Sequence, residues 1–436
     1  MYRIKHLLIS IIPSSLLDPL RRAYHFLTPH IAALVYNYPS QHLLVLAVTG
    51  TKGKSSTTEM LNAILEEAGH TTAVLNSIRI KIADTSKPNL MRMSMPGRFF
   101  IQRFLAGAVR RKCTAAIIEM TSEGARQYRH RAIALDGLIF TNLAPEHIES
   151  HGSLEAYAEA KFDIGRQLVR SSKRPRIIVA NSDDAQGSRY LMLPVETRLP
   201  FSLDSNRPFA SDEHGGYFRF LDTSVHIHLP GDFSLRNALA AATLTQALGI
   251  PLATIASALG KIQTIPGRAE RIEAGQDFTV VVDYAHTPDS LTALYDAYSP
   301  STSLGVKHKL ICVLGSTGGG RDLWKRPVMG GIADARCDHV ILTNEDPYDE
   351  DPRSIIDDLA RGMKRTPEII LDRREAIARA LSLAHAGDAV LISGKGTDPC
   401  ICGPQGSKTP WSDAVVAREE LHKLAVPKSG IPPHQL

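Results

Sequence analysis

Cysteine is scarce, with five in 436 residues, at positions 113, 312, 337, 400 and 402. They are scattered, and three lie in or beside apolar runs, which predicts reduced thiols rather than a disulfide framework. Cys400-Ile401-Cys402 has no second Cys/His pair at zinc-finger spacing to complete a metal site. No apolar run is long enough to span a bilayer: Leu7 to Ile12 stops at Pro13, far short of about 20 residues. A signal peptide would need a longer apolar core and a small-residue cleavage site. Net charge is also small, +5 from 50 basic and 45 acidic residues, too little to imply a nucleic-acid partner. These absences leave a cytoplasmic globular protein, long enough for two or three domains.

The most informative stretch present is Leu43 to Ala68. Leu43 to Val48 has the length and composition of a buried strand. Gly50-Thr51-Lys52-Gly53-Lys54-Ser55-Ser56 follows, then Met60, Leu61, Ile64, Leu65 and Ala68 at helical spacing, closed by Gly69. Gly50 and Gly53 let the backbone approach an anion, and the helix N-terminus offers free N–H groups. Lys54 adds a charge for phosphates, and the Ser55 hydroxyl can ligate Mg²⁺. The general phosphate-loop pattern wants glycine at position 48, where this chain has Val48, so the motif is a shorter variant. It predicts nucleoside triphosphate binding.

Strands ending in polar residues recur downstream, at Ala115–Glu119, Gly137–Asn142 and Arg176–Asn181. In open α/β sheets such ends bind ligands. Residues 190 to 230 read as a small β extension, in which His226 and His228 share a solvent-facing side. A fresh α/β pattern starts at Phe278, after Pro266-Gly267-Arg268. The expected class is α/β, with a mostly parallel central sheet carrying the phosphate loop and a Rossmann-like α/β unit after it. The expected boundaries are a short helical segment at 1–40, a central domain at 41–265, a C-terminal domain at 266–425 and a frayed tail at 426–436. The N-terminal segment reads as an amphipathic helix packed on the body, with weak contact to a membrane surface as the alternative.

The second informative stretch runs from Asn142 through Glu146-His147 and His151-Gly152 to Lys161. Taken with the phosphate loop and Glu119, it resembles the Mur ligase family, over about residues 43 to 422. Ala180 to Asp184, Gly231 to Ala242, Pro266 to Arg271, Asp283 to Pro288, Gly318 to Pro327 and Trp411-Ser412-Asp413 carry the resemblance in the family's order. They are most similar to the branch that adds the third residue of the peptidoglycan stem peptide.

The resemblance implies an ATP-dependent amide-bond ligase acting on UDP-N-acetylmuramoyl-L-Ala-D-Glu through an acyl phosphate. ATP is implied at Gly50 to Ser56, Asn142, Asn237, Arg268, Asp283, Arg321 and Lys325. Mg²⁺ is implied at Ser55, Glu119, His147 and Lys161, the last converted by CO₂ to a carbamate that can ligate a cation. Lys54, Glu119, His147 and Lys161 form the implied catalytic group. Substrate is implied at Ser122, Asp346, Tyr348, Gly394 and Asp398, and the protein is expected to be a monomer.

Two departures stand out. Only about 40 residues precede the first apolar strand, where relatives carry a domain for the uridine diphosphate. Folylpolyglutamate synthase, which shares a short N-terminus, is therefore a competing reading, and a non-catalytic scaffold subunit is another. Enzymes that add meso-diaminopimelate also carry Asp-Asn-Pro-Arg where this chain reads Glu345-Asp346-Pro347-Tyr348. The missing arginine and the acidic residues Glu345, Asp346, Asp349, Glu350 and Asp351 predict a diamino acid, with lysine ahead of diaminopimelate.

Overall fold

A computed structural model describes residues 14–146, 148–299, 308–320 and 322–425. The apolar Leu7–Ile12 run, His147, Arg321 and the 426–436 tail lie outside the described residues.

Its first layer is an eight-stranded sheet in the order β4-β3-β2-β5-β1-β6-β7-β8. The strands are β1 (Leu44–Thr49), β2 (Thr72–Leu75), β3 (Arg79–Ile82), β4 (Thr85–Pro88), β5 (Ala115–Glu119), β6 (Gly137–Phe140), β7 (Ile177–Asn181) and β8 (Thr197–Phe201). β2 and β5 to β8 run parallel with β1, and β3 and β4 form an antiparallel edge. The register sets Val48 beside Glu119 and Thr49 beside Phe140, so the polar residues after each strand emerge at one level. The central strands are buried on both faces, which explains why they read as continuous apolar runs.

Helix Lys54–Glu67 packs on one face together with helices Gly231–Ala247 and Leu252–Lys261. Helices Arg98–Arg110 and Leu154–Val169 cover the other. A three-stranded antiparallel sheet, β9 (Phe209–Ser211), β10 (Gly216–Phe220) and β11 (Thr223–Ile227), forms the small extension, and His226 and His228 are exposed. Helix Ser14–Val35 lies against Arg98–Arg110 with Ala32 and Ala33 buried. No described helix is long and apolar enough to cross a membrane.

The second layer is a six-stranded sheet, order β12-β13-β17-β14-β15-β16. It comprises β12 (Glu270–Arg271), β13 (Thr279–Asp283), β14 (Leu310–Leu314), β15 (His339–Leu342), β16 (Glu368–Ile369) and β17 (Ala389–Ser393). All but β12 are parallel, and helices cover both faces, a Rossmann-like arrangement. A hairpin of β18 (Cys400–Cys402) and β19 (Lys408–Pro410) lies beside it. The α/β class expected from the sequence is the class observed.

One expectation is corrected. Cys312 and Cys337, read as separate thiols, are joined in a disulfide. Cys312 lies in β14, and Cys337 ends the helix that leads into neighbouring β15, which brings their Cα atoms to 6.1 Å. That separation suits a disulfide. Cys113, Cys400 and Cys402 are free and buried.

Candidate active site

The loop after β1 is built around backbone that only glycine adopts comfortably. Gly50 and Gly53 have φ of 143° and 79°. A Cβ at Gly50 would lie 2.0 Å from Thr141 Oγ1, and one at Gly53 would lie 2.2 Å from Asn237 Oδ1. The end of β6 holds the loop: Thr51 N–H donates to the Asn142 carbonyl at 2.8 Å, Lys52 N–H to Asn142 Oδ1 at 2.9 Å, and Thr141 Oγ1 to the Lys52 carbonyl at 2.6 Å. Asn142 and Asn237 thus shape the cradle that leads into helix Lys54–Glu67. Lys54 Nζ lies 2.8 Å from the Thr51 carbonyl, and burial holds its ammonium below the ordinary lysine range. Such a loop at a helix N-terminus takes phosphate.

Glu119 stands at the end of the adjacent strand. Ser55 Oγ donates to its Oε2 at 2.8 Å, Ser77 N–H to the same oxygen at 3.0 Å, and Ser94 Oγ to Oε1 at 2.9 Å. A hydroxyl and a carboxylate this close, beside a phosphate cradle, are hard oxygen donors of the kind Mg²⁺ takes. Among the described residues no group of three His, Cys, Asp or Glu could hold a metal by itself. A cation here would therefore complete its shell with nucleotide phosphate and water. Ser77 and Ser94 come from loops whose sequence carries no motif, and only the fold reveals them.

Lys161, on helix Leu154–Val169, is buried, with Nζ 2.6 Å from the Gly50 carbonyl and 4.6 Å from the Tyr157 ring centroid. Burial first, and then the nearby Lys54 charge, push its ammonium well below the ordinary range. Glu146 receives Lys52 Nζ at 3.2 Å and lies 3.0 Å from His286 Nε2, tying the two sheets together.

The C-terminal layer supplies further groups. Arg268 Nη2 donates to Ser55 at 3.2 Å and Ser77 at 3.0 Å, and its guanidinium stacks over Tyr284. Asp283 accepts the N–H groups of Ala269 and Ala285, both at 2.6 Å, so it shapes the loops that carry Arg268 and Tyr284. Burial raises its carboxyl above the ordinary range. Lys325 is buried, which lowers its ammonium, with Glu345 the largest opposing charge.

A cavity of about 400 Å³ runs between the layers, from Lys54 and Glu119 to Arg92 and Asp398. Asn142, Asn237, Arg268 and Asp283 line it. Ser122, Lys161, Lys325, Asp346, Tyr348 and Gly394 are not among its lining residues. Gly394, with φ 111°, lets the backbone pass Glu345, since a Cβ there would lie 2.4 Å from Glu345 Oε2.

Comparison with known proteins identifies the family. Residues 48–245 match the model of the Mur ligase middle domain, and residues 267–396 match that of the Mur ligase glutamate ligase domain. The chain belongs to the Mur ligase family. As a Mur ligase it is an ATP-dependent, ADP-forming amide-bond ligase, of a family that also requires Mg²⁺. It is 36% identical over 379 residues to UDP-N-acetylmuramoyl-L-alanyl-D-glutamate–2,6-diaminopimelate ligase of Syntrophomonas wolfei, covering 84% of this chain and 76% of that one. It is also 36% identical over 420 residues to UDP-N-acetylmuramyl-tripeptide synthetase of Roseiflexus sp., covering 90% and 81%. A solved UDP-N-acetylmuramoyl-L-alanyl-D-glutamate–2,6-diaminopimelate ligase superposes with TM-score 0.59 at 28% identity, covering 88% and 79%. Folylpolyglutamate synthase of Mycobacterium tuberculosis shares the fold, with TM-score 0.67, at 16% identity over 85% and 92%.

Proposed function

We propose that this Mur ligase adds a diamino acid, L-lysine or meso-diaminopimelate, to UDP-N-acetylmuramoyl-L-Ala-D-Glu in the cytoplasm, acting as a monomer. The observation that carries the reading is the buried Lys161 amine against the loop whose Ser55 meets Glu119. The names of the most similar relatives support the substrate.

A carboxylate is a poor electrophile, so it first takes the γ-phosphoryl group of ATP. The incoming amine then attacks the acyl phosphate, and phosphate leaves. Lys54 and the loop N–H groups stabilise charge on the transferring phosphoryl. Ser55 and Glu119 would hold a Mg²⁺ that neutralises the phosphates when bound. Arg268, from the other layer, closes the site and keeps water from the acyl phosphate.

Lys161 is proposed to act as its carbamate. Burial favours the neutral amine, whose lone pair attacks CO₂. One N–C bond forms, one proton leaves, and the product is an anion able to ligate a cation together with His147. Lys161→Ala is expected to abolish activity, and short-chain carboxylic acids to restore part of it by filling the vacated space with an anion. Full activity in the unsupplemented variant would end the proposed role.

The substrate test is phosphate release with UDP-muramoyl dipeptide and a panel of amino acids. Release that needs a diamino acid supports the reading. Release only with glutamate and a folate supports a folate ligase, and none with any pair supports a scaffold.

A further inference from the structure

The cavity's far end holds a cluster that the phosphoryl chemistry does not use. Arg92, on the loop after β4, adopts a left-handed backbone with φ 53°. Its Nη2 donates to Asp346 Oδ2 at 2.5 Å and to Asp398 Oδ2 at 3.0 Å. Its Nη1 faces the thiols of Cys400 and Cys402. Lys395, fully buried, closes the ring at 2.8 Å from Asp346 and 3.5 Å from Asp398. Arg92 and Asp398 line the cavity, whereas Asp346, Lys395 and the thiols stand behind them.

This arrangement weakens the charge argument for lysine. Glu350 is paired with Arg326, while Glu345 accepts the neutral Thr317 Oγ1 and its buried Oε2 has no hydrogen-bond partner among the described residues. Asp349 accepts the Gln405 N–H, and Asp351 caps a helix. Asp346 and Asp398 are matched by Arg92 and Lys395, two anions against two cations. A side chain carrying only an ammonium would find compensated carboxylates and meet two positive groups. An end carrying both charges exchanges like for like, its ammonium taking Asp398 and its carboxylate taking the guanidinium. Thiols are weak acceptors, so a carboxylate gives Nη1 stronger, charge-assisted bonds.

We propose that Arg92 is a specificity-determining residue for the incoming amino acid, selecting one whose far end is itself an α-amino acid zwitterion, as in a 2,6-diamino diacid. The proposal rests on the ligase reading above. Because Arg92 comes from the first layer and both carboxylates from the second, this subsite is complete only when the layers meet.

The test is kcat/KM for meso-diaminopimelate and for L-lysine, with ATP and UDP-muramoyl dipeptide, on the full chain. The wild type is expected to prefer diaminopimelate. Arg92→Ala should lower the diaminopimelate-to-lysine ratio about 10- to 100-fold, mostly through KM. Arg92→Lys retains the charge but loses the fork, and should lower the ratio less. Tyr348, whose phenol neighbours Arg92, offers a rescue: Tyr348→Arg in the Arg92→Ala background should restore part of the ratio. A general folding defect lowers both values together, so an unchanged ratio in the lysine and alanine variants overturns the proposal. Preference of the wild type for lysine also overturns it and leaves the ligase reading standing. A wild type that joins neither amino acid removes that reading and this proposal together.

Discussion

Lys161 is a buried amine and Lys54 a half-buried one, and desolvation disfavours the protonated form of each, which has a stability consequence. Where the folded chain has lost these protons and the unfolded chain, near pKa 10.4, still holds them, the unfolded state binds more protons. Stability therefore rises with pH, from the lowered folded values up to about pH 10, by up to about 1.4 kcal/mol per pH unit per group. In CO₂-free buffer, Lys161→Met should flatten this slope and raise the melting temperature at neutral pH while removing activity. Denaturant unfolding at several pH values reads it, and an unchanged slope would show that the amine keeps its proton in the fold. Glu119 tests the cation site separately. Glu119→Gln preserves the shape but removes the charge facing Ser55, so the Mg²⁺ concentration for half-maximal activity should rise at least about 10-fold. An unshifted Mg²⁺ titration would exclude Glu119 as a ligand. The Gly-Lys-Ser loop and Glu119 were legible in the sequence because strand, turn and helix are contiguous there. Arg92 was not: its partner Asp346 is 254 positions away, and no motif marks the loop that carries it.

The late Trp411-Ser412-Asp413 motif gains a physical account from the helix it starts. Asp413 is fully buried at the head of helix Asp413–Ala425 and receives Arg373 Nε at 2.8 Å, Arg373 Nη2 at 2.7 Å and Trp411 Nε1 at 2.7 Å. Arg373 in turn donates to the Ser393 carbonyl at the end of β17, next to Gly394. One bidentate pair thus fastens the last helix to the strand end that leads into the Gly394–Asp398 loop. Asp413→Ala leaves a buried guanidinium uncompensated and should destabilise by about 3–5 kcal/mol. Asp413→Asn should destabilise less, since it keeps an acceptor. Chemical denaturation checks both, and a loss below about 1 kcal/mol would mean that water reaches Arg373. The strands themselves were legible, because central parallel strands are continuous apolar runs bounded by polar ends. Strand order was not, because β17 sits between β13 and β14 through a contact that no local pattern encodes. The Cys312–Cys337 pairing was hidden for the same reason: spacing shows two cysteines, and only the packing of the helix end before β15 against β14 brings them together.

Polar bridges between the two layers cluster at the cavity, while Arg271 meets His214 away from it and Phe233 packs on the C-terminal core. Arg268 reaches Ser55 and Ser77, Glu146 reaches His286, and Arg92 reaches Asp346 and Asp398. Interfaces between parts of one chain that are largely polar permit relative motion of the parts they join. The same contacts that hold the layers together therefore also assemble the site, so affinity for nucleotide and closure are linked. Arg268 is the sharpest probe, because its guanidinium touches the Ser55 that faces Glu119. Arg268→Ala should lower kcat about 100-fold, raise KM for ATP, and enlarge the radius of gyration in small-angle scattering. Saturating nucleotide should recover part of the compaction, because its phosphates bound at Lys54 give the remaining groups of the opposite layer a shared ligand to close on. Scattering curves that coincide for wild type and variant, with kcat reduced, would assign Arg268 to the chemistry alone and leave closure to the Glu146–His286 and Arg92 bridges.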